Sequence, residues 1–400
     1  MTLSNKKANY ADHLDRISDL PCNVIDGILK HLNIQELVCT SLLSRKWRYV
    51  WNTVPQLVFC EDFFFRFKFK DLDDPSPDIN RIINEVLLQH NGPIYRFTLD
   101  IPWFSNILIT AEYFNKWLLF LSRRGIKDLA IFNYGIFSNK MPSHVFSCQE
   151  LTHLWFAGFN VSVPPNFCGL KSLLVLDLQR NTYEFGALET LMSGCPLLKE
   201  LSIELFGDIK SICLKKAKNL IDLRLMVNQE SVSGLIKSLP NIQRLTLESC
   251  CDKTLYADII SPSHLISLKY LKLHFVSLDE RGELFYIVSV LKSASNLVEL
   301  VIESNNISGG QEPDQLEELE RDSCCFSQLQ TVNIRVGTTD FKHAMSLIQL
   351  ILANSSSLKT LAFKVDFGHR KLDPAVLLSI SRNLLLMERA SQRARVEFTH

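Results

Sequence analysis

The densest groups of nucleophilic or metal-ligating side chains are two adjacent cysteine pairs, Cys250-Cys251 and Cys324-Cys325. Neighbouring thiolates cannot both reach one tetrahedral zinc ion without strain, and neither pair has a second pair nearby, so buried structural cysteine is the better reading at both. His264 and His274 follow the first pair, the one place where a cysteine–histidine nucleophile could assemble. The sequence holds no GxGxxG, phosphate loop, HExxH, GxSxG or CxxC. No catalytic residue, metal ligand or cofactor site is therefore assigned, and the chain is expected not to be an enzyme. A different chemistry is raised by "SLLSRKWRYVW", Ser41 to Trp51, where basic residues alternate with aromatics as they do on nucleic-acid surfaces. Smaller basic clusters, Arg123, Arg124 and Lys127 and again Lys215, Lys216 and Lys218, have solvated charge as their default reading.

Composition argues against the polyanion reading. The 43 Lys and Arg residues equal the 43 Asp and Glu residues, so no global field draws the chain to nucleic acid or to an anionic membrane. With 46% hydrophobic residues the chain is too apolar to be disordered. The polar start, "MTLSNKKANYADHLDR", does not resemble a signal peptide, and no run approaches the ~20 apolar residues that span a bilayer. A cytoplasmic or nuclear protein is expected, with its odd number of cysteines, eleven, mostly as buried free thiols. Partners among nucleic acids and membranes are not expected.

From residue 94 onward one phrase recurs: an apolar residue, two variable ones, then an apolar-variable-apolar triplet. It is clear in "LLVLDLQRN", "LKELSIE", "LIDLRLMVN", "IQRLTLESC", "LKYLKLHF" and "LVELVIESN". Poorer copies stand at residues 94, 126, 151, 329 and 358. Leu154, Leu176, Leu201, Leu223, Leu245 and Leu271 are 22 to 26 residues apart, the period of a leucine-rich repeat. Alternation within the triplet makes a short strand with one buried face, and each repeat leaves apolar surface bare until a neighbour stacks on it. The expected fold is therefore α/β, a curved solenoid with a parallel sheet inside and helices on its convex side. Three helices are expected late in the chain, in "DERGELFYIVSVLKSASN", "DFKHAMSLIQLILANSSS" and "DPAVLLSISRNLLLMERAS". In the second, Ala344, Leu347, Ile348, Ile351 and Leu352 share a face and Asp340 stands at the cap. Residues Asn305 to Cys325 interrupt the repeats with an acidic insertion, expected to be a projecting loop.

The segment before the repeats is helical in pattern. Leu20-Pro21 opens a first helix with Asp19 as its expected cap, and Val24, Ile25, Ile28, Leu29 and Leu32 form its apolar stripe. A second helix is expected in "IQELVCTSLL", with Leu37, Val38 and Ser41 on one face, and a third in "SRKWRYVW". In the third, Leu43, Trp47, Val50 and Trp51 lie on one side, leaving Arg45, Lys46 and Arg48 as a solvated rim. The tryptophans thus belong to a packing seam, and a nucleic-acid platform is not needed to explain them. So few residues cannot bury so many large apolar side chains, which points to a partner or a following domain as cover.

The succession "DRISDLP", "VIDGILKHL" and "LVCTSLLSRKWRYVW" resembles the F-box. Its setting is similar to the plant family that follows an F-box with leucine-rich repeats and a terminal FBD segment. "LIQLILANSSSLKTLAFKV" and "LLLMERASQRARVEF" are similar to the FBD pattern of a helix, a strand and a closing "RAS" strand. Two positions depart from the family pattern: Cys22 stands where an acidic residue commonly follows Leu-Pro, and "LNIQELV" lacks a proline. The expected organisation is a flexible tail (1–13), an F-box helical domain (14–54) and a linker or solenoid cap (55–93). Leucine-rich repeats (94–328) and an FBD-like end (329–400) complete it.

The resemblance implies the substrate-recognition subunit of an SCF (Skp–cullin–F-box) ubiquitin ligase. Such a subunit binds a Skp-type adaptor, and through it cullin and RING subunits, and does no covalent chemistry itself. Carried over by position, the adaptor contacts are Leu20, Pro21, Ile25, Ile28, Leu29, Leu32, Val38, Leu42, Leu43, Trp47 and Trp51. The target protein is expected on the sheet, where alternation turns Arg224, Met226, Arg244, Glu248, Tyr270, Lys272 and His274 outward. The alternative is an interaction scaffold that does not act through ubiquitin ligation.

Overall fold

A computed structural model describes residues 17–65, 79–103, 109–134, 139–205, 214–227, 242–249, 265–276, 278, 281–304, 325–337, 341–366 and 374–399. The expected N-terminal tail, the Asp340 cap, the Cys250-Cys251 pair with His264, Cys324 and nearly all of the acidic insertion lie outside the described residues. The chain divides into two units, Met1–Ile136 and Phe137–His400.

In the first unit two short helices, α1 (Cys22–Leu29) and α2 (Ile34–Thr40), precede a 3-10 helix (Trp47–Thr53). Then follow β1 (Gln56–Phe59), α3 (Glu61–Phe65), α4 (Ile79–Gln89), β2 (Arg96–Ile101), α5 (Ala111–Ser122) and β3 (Asp128–Asn133). The three strands are parallel, with Leu57 beside Phe97 and Phe97 beside Leu129. β1 lies inside the segment expected to be a linker or cap. Its "QLVF" alternates half-buried and buried residues as the repeat strands do, so the ladder begins one strand earlier than the repeat phrase indicated. α4 buries Ile79, Ile83 and Leu87, four residues apart and so on one helical face.

One buried imidazole ties the residue after α4 to the residue that ends the 3-10 helix. His90 is fully buried, its Nε2 2.8 Å from the Val54 carbonyl, and loss of hydration pushes its pKa below the usual histidine value. A group whose folded pKa is depressed binds more protons when unfolded, so its contribution is present above about pH 6.5 and is lost as pH falls. Thermal unfolding followed from pH 7.5 to 5 is expected to show a falling midpoint in the wild type. The fall is expected to be smaller in His90→Gln, which cannot gain the proton.

The second unit is the repeat ladder. A short side sheet holds β4 (Asn139–Lys140), β6 (Phe159–Val161) and β8 (Thr182–Tyr183). The main ladder runs through β5 (His153–Ala157), β7 (Val175–Gln179), β9 (Glu200–Leu205), β10 (Asp222–Val227), β11 (Arg244–Ser249), β12 (Tyr270–Val276), β13 (Glu299–Ser304), β14 (Thr331–Gly337), β15 (Thr360–Asp366) and β16 (Arg395–Thr399). Every pairing is parallel, and the repeat leucines align: Leu154, Leu176, Leu201, Leu223, Leu245, Leu271 and Leu300 stand side by side in register. All are at most 2% exposed. Full burial is worth about 1.5–3 kcal/mol for each such side chain, but only once the neighbouring repeat is in place, so the stack is cooperative.

Helices α6 (Ala187–Ser193), α7 (Arg281–Ser293), α8 (Phe341–Asn354) and α9 (Pro374–Leu386) carry the chain back between strands. The last three are those expected from sequence, and Ala344, Leu347, Ile348, Ile351 and Leu352 of α8 are all buried. The end of the chain differs from the expected closing strand. Arg389, Ala390 and Ser391 form the bend before β16: the Ala390 amide donates to the Leu352 carbonyl (2.9 Å) and the Ser391 hydroxyl to the Leu358 carbonyl (2.7 Å). Thus "RAS" fastens the final strand to α8 and to the turn before β15 rather than joining the ladder itself.

Asn181 fixes the turn between β7 and β8. Arg180 before it has a left-handed backbone (φ 48°), and the buried Asn181 amide bridges two strands: Oδ1 accepts from the Phe159 N–H and Nδ2 donates to the Phe156 carbonyl, both at 2.8 Å. Asn181→Ala removes both of these buried hydrogen bonds, each worth about 1–3 kcal/mol. A loss of ~2–5 kcal/mol is expected in denaturant unfolding of the variant.

The described cysteines correct one expectation. Cys148 and Cys195 are buried, and desolvation pushes both thiols up to about 12, far from thiolate reactivity. Cys22, Cys39, Cys168 and Cys325 are exposed, because short helices and connecting turns leave a small side chain in solvent when it is off the buried stripe.

Candidate protein-binding sites

The N-terminal module closes a small core of its own. Helix α1 follows Pro21, whose carbonyl accepts from the amides of Val24 and Ile25, and α2 opens with a reciprocal cap. In that cap Asn33 Oδ1 accepts from the Gln35 and Glu36 amides (3.1 and 3.0 Å), while Glu36 Oε2 accepts from the Asn33 N–H (3.0 Å). Leu29, Ile34, Leu37, Trp47, Trp51 and Val54 are buried. The Trp47 indole N–H, needing an acceptor in that setting, donates to Ser18 Oγ at 2.9 Å. Asp19 does not cap α1: it pairs with Lys46 at 3.3 Å, both side chains being largely exposed, and contributes little.

Burial divides the eleven residues expected to meet the adaptor. Leu29, Trp47 and Trp51 face the module's own core, since a 3-10 helix replaces the expected third α-helix and turns both indoles inward. Leu20, Ile25 and Leu32 are half-buried, and Pro21, Ile28, Val38, Leu42 and Leu43 are exposed. The expected single faces therefore split. In α1 Leu29 points in while Val24 and Ile28 point out, and in α2 Leu37 points in while Val38 points out. Val24 (41%), Ile17 (51%) and Tyr49 (66%) join the exposed set. Seven of the twenty large exposed apolar side chains among the described residues fall between residues 17 and 49, far more than their share of the chain. The i, i+4 spacing of Val24 and Ile28 was the signal that would have found the first of these. Arg45, Lys46 and Arg48 are exposed, as a solvated rim requires.

The second surface is the open face of the ladder in the Phe137–His400 unit. Arg224, Met226, Arg244, Glu248, Tyr270, Lys272 and His274 all lie at the outward strand positions read from the alternation. Glu204 and Thr246, also outward by alternation, are nonetheless buried. Glu204 turns back to accept the Arg180 amide at 2.9 Å, and Thr246 lies in register between the long side chains of Arg224 and Lys272.

Much of the outward charge is paired within the sheet. Arg244 meets Asp222 at 3.0 Å and lies over the Tyr270 ring at 4.0 Å, Arg224 meets Glu248 at 3.6 Å, and Lys272 meets Glu303 at 2.9 Å. His274 stands between Glu303 (3.1 Å) and Glu248 (3.9 Å). A depression of about 520 Å³ crosses this face. Arg224, Arg244, Tyr270 and Lys272 line it, while Met226, Glu248 and His274 do not. Its other end is formed by residues the sequence reading did not single out, His153, Trp155 and Asp177. An aromatic at the outward position of "LTHLWFAG" was the signal for them.

Away from these surfaces, the basic cluster near residue 124 has a local use. Arg124 donates to the Gly92 carbonyl at 3.2 Å and packs over Phe120, and Lys127 packs over Tyr95. Among the described residues no helix is long and apolar enough to cross a membrane, and no group of His, Cys, Asp or Glu is placed to hold a metal ion.

A parallel ladder of repeats about two dozen residues long, preceded by a three-helix module with exposed apolar residues, defines a leucine-rich-repeat protein with an N-terminal helical module. A family model for the F-box domain matches residues 17–58, and one described as "FBD-associated F-box protein At5g56370, LRR repeats" matches residues 114–301. These matches make the chain similar to plant F-box/FBD/LRR-repeat proteins. It is 28% identical to F-box/FBD/LRR-repeat protein At1g13570 of Arabidopsis thaliana over 96% of this chain and 98% of that one. FBD-associated F-box protein At4g13985 and F-box/LRR-repeat protein 13, from the same organism, are 27% and 29% identical over 59% and 58% of this chain. In those two alignments 52% and 50% of the relative is covered. Among solved structures, an internalin from Listeria monocytogenes aligns with a TM-score of 0.30 and 13% identity, over 80% of this chain and 94% of that one. The repeat architecture itself rests on the strand register described above.

Proposed function

We propose that this chain is the substrate-recognition subunit of an SCF-type ubiquitin ligase. Its F-box module docks on a Skp-type adaptor and its repeats hold a target protein. The observation that carries the reading is the exposure of Ile17, Val24, Ile28, Val38, Leu42, Leu43 and Tyr49 on a module whose own core is already filled. Several hundred Å² of such surface, at about 25 cal/mol per Å², amounts to ~10 kcal/mol of gross burial, of the same order as the cost of association. The chain then performs no covalent chemistry. It raises the effective concentration of the target's lysines at the charged conjugating enzyme, which cullin and RING subunits bring. Work in the cytoplasm or nucleus follows from that partnership.

Proximity labelling tests the reading in cells. Proteins near the full chain are compared with those near a variant in which Leu42 and Leu43 are aspartate. At least one neighbour of the variant is expected to accumulate relative to wild type, because it is captured and not ubiquitinated. Identical neighbour levels would favour a scaffold that acts without ligation.

A further inference from the structure

We propose that the β5–β9 end of the open face takes a cationic side chain, lysine or arginine, from the target protein, between the Trp155 ring and the Asp177 carboxylate. The inference rests on the target being held on this face.

Trp155, Asp177 and Ser202 are side by side in register on β5, β7 and β9, and all three line the depression. The Trp155 and His153 rings stack, with centroids 5.4 Å apart and planes 13° apart, giving a wall on which an ammonium or a guanidinium gains cation–π attraction. Beside that wall is an incomplete carboxylate. Gln179 donates to Asp177 Oδ2 at 3.2 Å, whereas Oδ1 is buried with no hydrogen-bond partner. Burial also holds this carboxyl above the usual aspartate range, with Glu204 adding to the rise and hydrogen bonds from Gln179 and Ser202 and the charge of Arg224 opposing it. A cation resting on the adjacent Trp155 wall feels the charge of this carboxylate at short range.

Charge balance gives the sign of the ligand. Arg224, Arg244 and Lys272 each have a carboxylate within 4 Å: Glu248, Asp222 and Glu303. Glu200, which lines the same end, is exposed and makes no ion pair among the described residues, so this end carries surplus negative charge. An anionic group entering here would meet Asp177 and Glu200 with no cation released to receive it, whereas a cation completes the site.

Full-length protein carrying 5-fluorotryptophan reads the site by fluorine NMR, with the Trp155 resonance assigned from Trp155→Phe. The probes are n-butylguanidinium, n-butylammonium, the neutral isostere N-butylurea and the anion butyrate, at low ionic strength. The two cations are expected to shift the Trp155 resonance saturably and the neutral and anionic probes are not. Asp177→Asn is expected to weaken the cations at least tenfold and Glu200→Gln about threefold, with the other tryptophan resonances unmoved. An equal response to N-butylurea, a response to butyrate alone, no saturable response in wild type, or undiminished affinity in both variants would overturn the site. Adaptor capture by the same preparation separates the two readings. Capture without a cation response removes this site alone, and a cation response without capture removes the receptor reading alone.

Discussion

Replacing Leu42 and Leu43 together with aspartate is expected to abolish capture of a Skp-type adaptor while leaving thermal unfolding of the chain where it is in wild type. The two side chains are 86% and 61% exposed, so the substitution takes nothing from the core. At an interface centre, each large apolar side chain removed costs about 2 kcal/mol or more, and a carboxylate left in its place must also be desolvated. A combined loss of at least ~4 kcal/mol corresponds to roughly a thousandfold in affinity. Titration calorimetry of the purified chains reads it directly. Unchanged affinity would place the adaptor on another surface.

Trp47→Ala is expected to have the opposite signature. The indole is 4% exposed and its N–H is bonded to Ser18, so truncation leaves a cavity and a stranded hydroxyl in a module of few residues. Large aromatic truncations in cores cost about 3–5 kcal/mol, which is comparable with the whole stability of so small a unit. Hydrogen exchange over Cys22–Leu29 and Ile34–Thr40 should therefore rise toward the unfolded rate, and adaptor capture should fall only in proportion to unfolding. Protection equal to wild type would show that Trp47 does not hold the module together. The pair of variants separates side chains that build the module from those that it offers to a partner, a distinction on which Trp47 and Leu43 were expected to agree and do not.

The repeat ladder was legible because its signal is local and repeated. An apolar-variable-apolar triplet buries alternate residues, and all eleven phrases identified in the sequence became strands with the leucine ruler in register. β1 was not legible, since four residues carry too little alternation to stand out without the partner strand beside them. In the F-box module the helices were legible and their inward faces were not. Both sides of α1 are apolar, one for the core and one for the solvent-exposed face, so periodicity alone assigns Ile28 and Leu29 to one stripe. The outward charges of β10 to β12 were correctly placed, but their pairing depends on register with neighbouring strands and on rotamers, neither of which a single sequence carries. Asp177 escaped notice for the same reason: what distinguishes it is an unpaired buried oxygen, a property of its neighbours.

The central claim, that the exposed apolar side chains between residues 17 and 49 dock a Skp-type adaptor, is tested most directly by mixing the purified full-length chain with purified adaptor and measuring the mass of the eluting species by light scattering. A one-to-one complex is expected for wild type and for Asp177→Asn, and free chains for the Leu42 and Leu43 double aspartate variant. Separate elution of folded wild-type chain and adaptor at micromolar concentration would contradict it.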